Sequence, residues 1–235
     1  MKECIFILVV FFANVVEGIT GFAGTMLAMP VSMRLLGVNE AKIVLNIVAI
    51  IVSLSIAVRN YRDIDWKQVL KISLFMVIGM MGGMYLFSIL PVKILETIYG
   101  VLIIMVALRG LFIKKEMKLP QGAMIYVILL AGVIHGMFLS GGALLVIYAV
   151  IALRDKAVIR ATLAPVWIIL NIIMLIKDFT AGVITGDILC LAGYCIFPVI
   201  LALILGEIFH KRINQTFFVR LTYILLIFSG GFLLT

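Results

Sequence analysis

Three glycines and two threonines lie close together near the N-terminus, at residues 18–25 (GITGFAGT), inside an otherwise apolar run. A related cluster, GMFLSGGA, occupies residues 136–143, which is 118 positions later. Glycine and hydroxyl side chains weaken a membrane helix and bring polar atoms into hydrocarbon, so an ordinary span rarely combines them. Two such interruptions at matching places in two halves of a membrane chain indicate a ligand-binding site.

A helix that begins just after each cluster would direct free backbone N–H groups, and the positive end of its dipole, at the turn. Such an end can bind an anion without lysine or arginine, and glycine lets the ligand approach the backbone. We therefore predict a site for a small oxyanion where the two turns meet, with hydroxyl donors from Thr20, Thr25 and Ser140. The predicted substrate-binding residues are Gly18, Thr20, Gly21, Gly24, Thr25, Gly136, Ser140, Gly141 and Gly142.

Two ionisable residues, Glu17 and His135, stand at equivalent positions beside the two clusters. An ionisable group inside a membrane is a functional candidate. The pair predicts either a proton-coupling role or a hydrogen bond that ties the two halves together. Asn46 and Asn171 lie in the apolar segments that follow. They are secondary candidates for substrate contact, with hydrogen bonding between helices as the alternative.

Helix packing is the competing explanation for the glycines. Gly79 and Gly83, and likewise Gly132 and Gly136, are four residues apart, which is the spacing that lets two helices approach closely. We expect packing, rather than a ligand, to explain these two pairs.

The composition is that of an integral membrane protein. Hydrophobic residues make up 65% of the 235 positions, charged residues 13%, and the mean hydropathy is +1.31. The net charge of +8 is scattered without a basic face, which argues against nucleic-acid binding. A rhomboid-type protease would need Gly-x-Ser-Gly, but Phe138 stands two residues before Ser140, and no His-Glu-x-x-His motif occurs. We predict no enzyme activity, catalytic residue, metal site or cofactor.

The candidates are carried by eight apolar segments that repeat one pattern twice, an interrupted segment followed by three spans. The halves align without gaps through the second spans, and a loop five residues longer in the second half then brings Gly83 onto Gly206. We predict an all-α polytopic membrane fold with repeat one at 1–113, a linker at 114–121 and repeat two at 122–235. The segments are 4–36, 41–58, 69–90, 92–113, 122–153, 158–176, 188–209 and 217–234.

Loop charge distinguishes parallel from inverted repeats, because lysine and arginine collect in cytoplasmic loops. If each interrupted segment crosses once, the 19 basic residues divide 10 to 9 between the faces. If each returns as a re-entrant hairpin of two half-helices, they divide 14 to 5, and both termini lie outside. We therefore predict inverted repeats. Two short full spans are the alternative to a re-entrant hairpin. The length of about 32 residues per interrupted run favours the re-entrant hairpin. The five basic residues expected outside are Lys2, Arg34, Lys42, Lys93 and Lys177.

The motif Gly-x-x-Gly-Phe-x-Gly at residues 18–24, the Met/Leu-rich run with Pro30, and the second glycine cluster resemble the TauE/SafE family of sulfite exporters, also called the TSUP family. Length, two-repeat layout and hydropathy agree over the whole chain. The sequence departs from the fuller family pattern at Ala23, Thr25, Leu139, Ser140 and Tyr148.

The resemblance implies a secondary transporter in the cytoplasmic (inner) membrane of a bacterium or archaeon. Its substrate would be a small sulfur-containing anion such as sulfite or a sulfonate, with Glu17 and His135 as candidates for proton coupling. A small-anion channel built on the same paired hairpins is the alternative. The implied partners are the anionic substrate and the lipid bilayer, and a homodimer is left open.

Overall fold

The computed structural model describes residues 2–112, 120–153 and 155–212, together with positions 223–224, 227–228, 231 and 234. Over the three long ranges the chain forms nine α-helices and a 3-10 helix, Tyr61–Asp63, without a strand. The predicted last segment, 217–234, and the predicted linker, 114–121, lie mainly outside the described residues. The helices are α1 (Lys2–Thr20), α2 (Gly24–Leu36), α3 (Val38–Arg59), α4 (Trp66–Ile89), α5 (Val92–Phe112), α6 (Gln121–Phe138), α7 (Gly142–Leu153), α8 (Lys156–Thr180) and α9 (Gly186–Arg212).

Six of these helices are long and apolar enough to cross a membrane: α1, α3, α4, α5, α8 and α9. Their outward surfaces carry large apolar side chains, and Leu70, Tyr85 and Phe197 are each at least 66% exposed. Lipid is the environment that covers such a surface. The protein is therefore an all-helical, multi-pass membrane protein, as its composition predicts.

Both glycine clusters break a helix, at residues 21–23 and 139–141. At the second break the chain turns back, because Gly141 packs against Ala131, seven residues before the end of α6. The first helix of each hairpin has 19 or 18 residues and is longer than the expected half-helix, while the second has 13 or 12. At 1.5 Å per residue, α1 is about 28 Å long and α2 about 20 Å. Each hairpin thus pairs a helix of nearly full membrane length with a short one.

The two turns share a left-handed backbone conformation at equivalent positions. Gly21 has a φ of +81° and Leu139, 118 positions later, has a φ of +57°. Glycine adopts this left-handed conformation freely, whereas for leucine it is unfavourable by about 1–2 kcal/mol. Leu139 is buried in the core, so the packing around it holds the strained conformation in place.

Helices α3 and α8 form the centre of the molecule and run antiparallel to each other. The side-chain amide of Asn46 donates to the main-chain oxygen of Asn171 over 3.1 Å. Beyond the other end of α3, the backbone N–H of Asp65 donates to Thr162 Oγ1, near the start of α8. These two helices are the most buried of the candidate spans. The hairpins therefore assemble around an antiparallel central pair.

Each hairpin packs most extensively against the opposite half of the chain: α1 against α9, and α6 against α4. Glycines allow both approaches. A Cβ at Gly206 would meet the main chain of Val15 and Gly18, and a Cβ at Gly83 would meet the main chain of Val133, the residue 118 positions after Val15. The same contact thus occurs in each half. It also gives Gly18 a packing role at the α1–α9 contact.

The packing at Gly83 can be tested against its neighbour. Gly83→Ala should lower the free energy of unfolding by about 1–3 kcal/mol, because the new methyl group overlaps the main chain of α6. Gly82→Ala is the matched control, since a Cβ there meets nothing within 4 Å and alanine favours the helix by about 1 kcal/mol. Thermal unfolding in detergent measures both. Equal melting temperatures for the two variants would contradict the close contact.

Candidate functional site

A polar cavity lies between the two hairpins and the central helices. It encloses about 270 Å³ of empty space including its opening, and its enclosed part has room for about one water molecule. Six of its lining residues form three pairs separated by 118 positions: Glu17 and His135, Ala49 and Trp167, and Ser53 and Asn171. The cavity therefore receives the same positions from both halves. Its other lining residues are Phe22, Thr25, Leu139 and Gly142.

Glu17 is almost fully buried and faces the start of α2. Its carboxylate is held by the backbone N–H groups of Thr25 and Gly24, the first residues of that helix. A negative group is favourable there because these N–H groups lack partners within the helix. The close approach requires glycine at position 24, where a Cβ would collide with the carboxylate. Glu17 thus occupies a place that the sequence predicted for a substrate anion.

His135 is also buried, but it turns to the central helix α8 instead of the N-terminus of α7. Its Nε2 lies 3.1 Å from Asn171 Oδ1, and its ring stacks on Trp167 with centroids 5.4 Å apart. Its Nδ1 is buried without a hydrogen-bond partner. The Glu17–His135 hydrogen bond, one of the two alternatives for this pair, is therefore not formed in the structure. Both residues line the cavity, but His135 is tied to Asn171.

The two asparagines have different positions. Asn171 lines the cavity with its side chain, whereas Asn46 lies outside the lining and donates to the main chain of Asn171. Asn46 is therefore placed for bonding between helices, which was the alternative predicted for it. The side-chain oxygen of Asn46 has no hydrogen-bond partner.

The three hydroxyl groups predicted to donate to an anion all donate to backbone carbonyls instead. Thr20 donates to Val16 and also accepts from the turn, Thr25 donates to Leu139 over 2.9 Å, and Ser140 donates to Phe138. A hydroxyl has a single proton, so none is free for a ligand in this arrangement. In this structure the three hydroxyls shape the turns and join the hairpins, and their contact with an anion stays a prediction. The Thr25–Leu139 bond links one hairpin directly to the other.

The glycines divide between the cavity and helix contacts. Gly142 lines the cavity, and Gly24 borders it through Glu17. Gly21 packs against Arg160 and accepts a hydrogen bond from the Trp167 indole over 3.3 Å. The rest, Gly18, Gly136 and Gly141, pack against the main chain of neighbouring helices.

A match to a family model confirms the resemblance seen in the sequence. The model described as "Sulfite exporter TauE/SafE" matches residues 6–233, almost the whole chain. The chain belongs to the TauE/SafE sulfite exporter family. Searches of curated proteins and of solved structures found no match. Membership makes the protein a membrane transporter of a family associated with sulfite, while its substrate and energy coupling are matters for proposal. Among the described residues, no group of three metal-ligating side chains is close enough to hold a metal ion.

Two buried cations of this TauE/SafE protein were not predicted as site residues, because in the sequence they counted only as charges that mark a face of the membrane. Lys42 and Arg160, again 118 positions apart, are 5% and 6% exposed and lie in α3 and α8. The ammonium group of Lys42 donates to the Gly136 carbonyl over 2.9 Å, and it lies 4.0 Å from the centroid of the Phe87 ring. Lys42 is therefore a buried cation near the start of α3, and the side of the membrane predicted for it stays a prediction.

Arg160 occupies the corresponding place at the first hairpin. It packs against the turn at Gly21 and pairs with Glu207 at 3.0 Å. Each central helix thus places one cation against the hairpin of the opposite half. Comparison of positions 118 apart would have revealed this pair, and Ser53 as the counterpart of Asn171, whereas Ala49 and Trp167 share no chemistry that would mark them.

Tyr99 was also missed, because α5 has no counterpart among the predicted site elements. Its hydroxyl donates to Ser140 Oγ, and its ring stacks on Phe138 with centroids 4.3 Å apart. It therefore fixes the turn of the second hairpin from the α5 side.

The role of Thr25 can be tested by removing only its hydroxyl. Thr25→Val keeps the shape but leaves the buried Leu139 carbonyl without its donor, which should destabilise the protein by about 1–3 kcal/mol. The dissociation constant for sulfite should change less than about threefold, because the hydroxyl proton is already held by the Leu139 carbonyl. A direct hydrogen bond to the anion would instead be worth roughly 1.5–3 kcal/mol, or ten- to a hundredfold in affinity. Thermal unfolding and sulfite titration of the same samples separate the two roles.

Proposed function

We propose that this protein is a secondary transporter that moves a small sulfur-containing anion, such as sulfite or a sulfonate, across the cytoplasmic membrane of a bacterium or archaeon. The observation that supports this proposal is the cavity, where two helix N-termini approach a space lined by equivalent residues of both halves. Helix N-termini stabilise anions through free N–H groups and the helix dipole. The cavity in this closed form has room for about one water molecule, so a compact oxyanion would enter only after the cavity widens.

We further propose that the two halves are inverted repeats, 1–113 and 122–235, related by an axis in the plane of the membrane. The support is the antiparallel course of α3 and α8, which occupy equivalent positions in the two halves. An axis along the membrane normal would make equivalent helices parallel. In the inverted arrangement the linker is cytoplasmic and both termini are outside, which agrees with the distribution of basic residues.

Single cysteines in two loops test the inverted arrangement. Replacing Asp63 and Val183, both exposed, with cysteine in a variant without Cys4, Cys190 and Cys195 marks the loops that follow α3 and α8. Inverted repeats predict that a membrane-impermeant thiol reagent labels position 183 from outside and position 63 only after the membrane is opened. Parallel repeats place these two loops on the same face, so identical labelling of both would refute the inversion.

The pair Glu17 and His135 supports a coupling of transport to protons. Asn171 Oδ1 can only accept, so the proton of neutral His135 lies on Nε2, and Nδ1 becomes a donor only when the ring takes up a second proton. Glu17 faces the same cavity, where a carboxylate would repel an anion until it is protonated or turned away. Both effects make substrate binding accompany proton uptake.

Transport by the purified protein in liposomes tests the proposal. Sulfite, thiosulfate, sulfate, sulfoacetate and taurine form the panel. A carrier saturates with substrate and shows counterflow. Because substrate binding accompanies proton uptake, this carrier should take substrate into the liposome faster when the proton gradient is directed inward. The Glu17→Gln, His135→Asn double variant should exchange substrate without a response to the gradient.

The results separate the alternatives. Currents far above carrier turnover, without counterflow, would identify a channel. Absence of both binding and flux for every member of the panel would refute the proposed substrate class. A permanently ionised sulfonate, sulfoacetate, serves as the control for sulfite, whose own protonation changes with pH.

A further inference from the structure

The two helix N-termini that approach the cavity carry different chemical groups. The start of α2 is occupied by the Glu17 carboxylate. The equivalent residue for α7 is His135, and its ring is directed to Asn171 and Trp167. One N-terminus therefore already has an anion of the protein itself, and the other has an imidazole beside it. The twofold resemblance of the hairpins does not extend to their anion-binding chemistry.

We propose that the substrate binds at only one of the two sites, with an anionic oxygen held by the backbone N–H groups at the start of α7 and by Nδ1 of protonated His135. This assignment rests on the proposed function and deepens it. It gives one anion per chain and makes the α7 side of the cavity the side that binds it. The Glu17 carboxylate stays on the backbone N–H groups at the start of α2 and is not displaced by the substrate.

His135 supplies the evidence that points to a ligand independently of the helix N-terminus. The residue is 2% exposed, lines the cavity, and leaves Nδ1 without a hydrogen-bond partner. A buried polar atom without a partner is unfavourable, and a ligand that satisfies it recovers that loss. Gly142, the first residue of α7, lines the same cavity. His135 and the N-terminus of α7 therefore border one space.

Phe22 covers this end in the structure. Its side chain and carbonyl lie against the position where Gly142 would carry a Cβ, so no larger residue than glycine fits beneath it. An anion would require Phe22 to move aside. The arrangement corresponds to a closed cavity with the ligand position protected.

Few charged groups surround the imidazole. Lys42 of α3 acts on it electrostatically, and Glu17 of α1 shares its cavity. The central helix α8 presents Asn171 and Trp167, and α5 reaches the following turn through Tyr99. The α4 helix meets α6 with apolar residues, Met76, Met80 and Met84. An anion that binds protonated His135 would thus have Lys42 as a second positive group nearby.

A set of four proteins tests the assignment: the intact chain, Glu17→Gln, His135→Gln and His135→Glu. Sulfite and sulfoacetate are titrated from pH 5 to 8 by calorimetry, and thermal unfolding checks that each variant is folded. His135→Glu gives α7 the carboxylate that α2 already has, so it should lower affinity by about a hundredfold or more. His135→Gln introduces a neutral side chain of the same size as glutamate, and it should lower the affinity by roughly tenfold.

The pH dependence adds a readout that a structural role would not give. The intact chain should bind sulfoacetate more tightly as pH falls, by up to about tenfold per pH unit for each extra proton that the bound state holds, and one of these protons is on His135. His135→Gln should remove the share of the slope that His135 carries, and any share that Glu17 carries should remain. Glu17→Gln should keep one anion per chain and the His135 share of the slope, with an affinity within about threefold of the intact chain.

The outcomes distinguish this assignment from the broader function. If the intact chain binds neither sulfite nor sulfoacetate, the transport proposal and this assignment both fail. If it binds, but His135→Glu binds as well and Glu17→Gln binds at least tenfold more tightly, the anion sits at the α2 end, where it competes with the Glu17 carboxylate, and only this assignment fails. Two anions per intact chain would also overturn it. Since His135→Gln and His135→Glu differ in charge alone, a folded His135→Gln keeps the test decisive even if His135→Glu does not fold.

Discussion

A helix that is interrupted inside hydrocarbon has backbone N–H groups that lipid cannot satisfy, and the cavity is built around this constraint. At the start of α2 the solution is internal, because the Glu17 carboxylate takes the first N–H groups. At the start of α7 the neighbouring imidazole is directed elsewhere. The two halves share a backbone plan, but a single difference in residue type leaves one helix start paired with a carboxylate and the other beside an imidazole.

The central helices hold these ends in place. The antiparallel α3 and α8 each direct one buried cation to the hairpin of the opposite half, Lys42 to the Gly136 carbonyl and Arg160 to the turn at Gly21. The Trp167 indole adds a bond to the Gly21 carbonyl, and Thr25 joins the two turns. Removal of one partner of such a buried contact leaves the other polar group unsatisfied. The cavity is therefore supported by a frame that couples its two sides.

The sequence predicted the helices and the breaks well, because hydropathy over about 20 residues and local glycine clusters are properties of short stretches. It predicted the residue pair at the cavity, Glu17 and His135, from the repeat. It did not predict where side chains point: three hydroxyls that suit an anion bond to the main chain instead. The loop-charge rule also gave no sign that Lys42 is buried, since a cation paired with a helix end can leave the aqueous loops.

The exchange of packing partners between the halves has a consequence for biosynthesis. The glycine face of α1 receives its main partner only when α9 has been made, more than 160 residues later in the chain. Translation at about 5–20 residues per second leaves that face in the membrane for roughly ten seconds to half a minute without its partner. During this interval the nascent first half is an unfinished structure. The insertion machinery or lipid must shield α1 until the second half arrives to complete it.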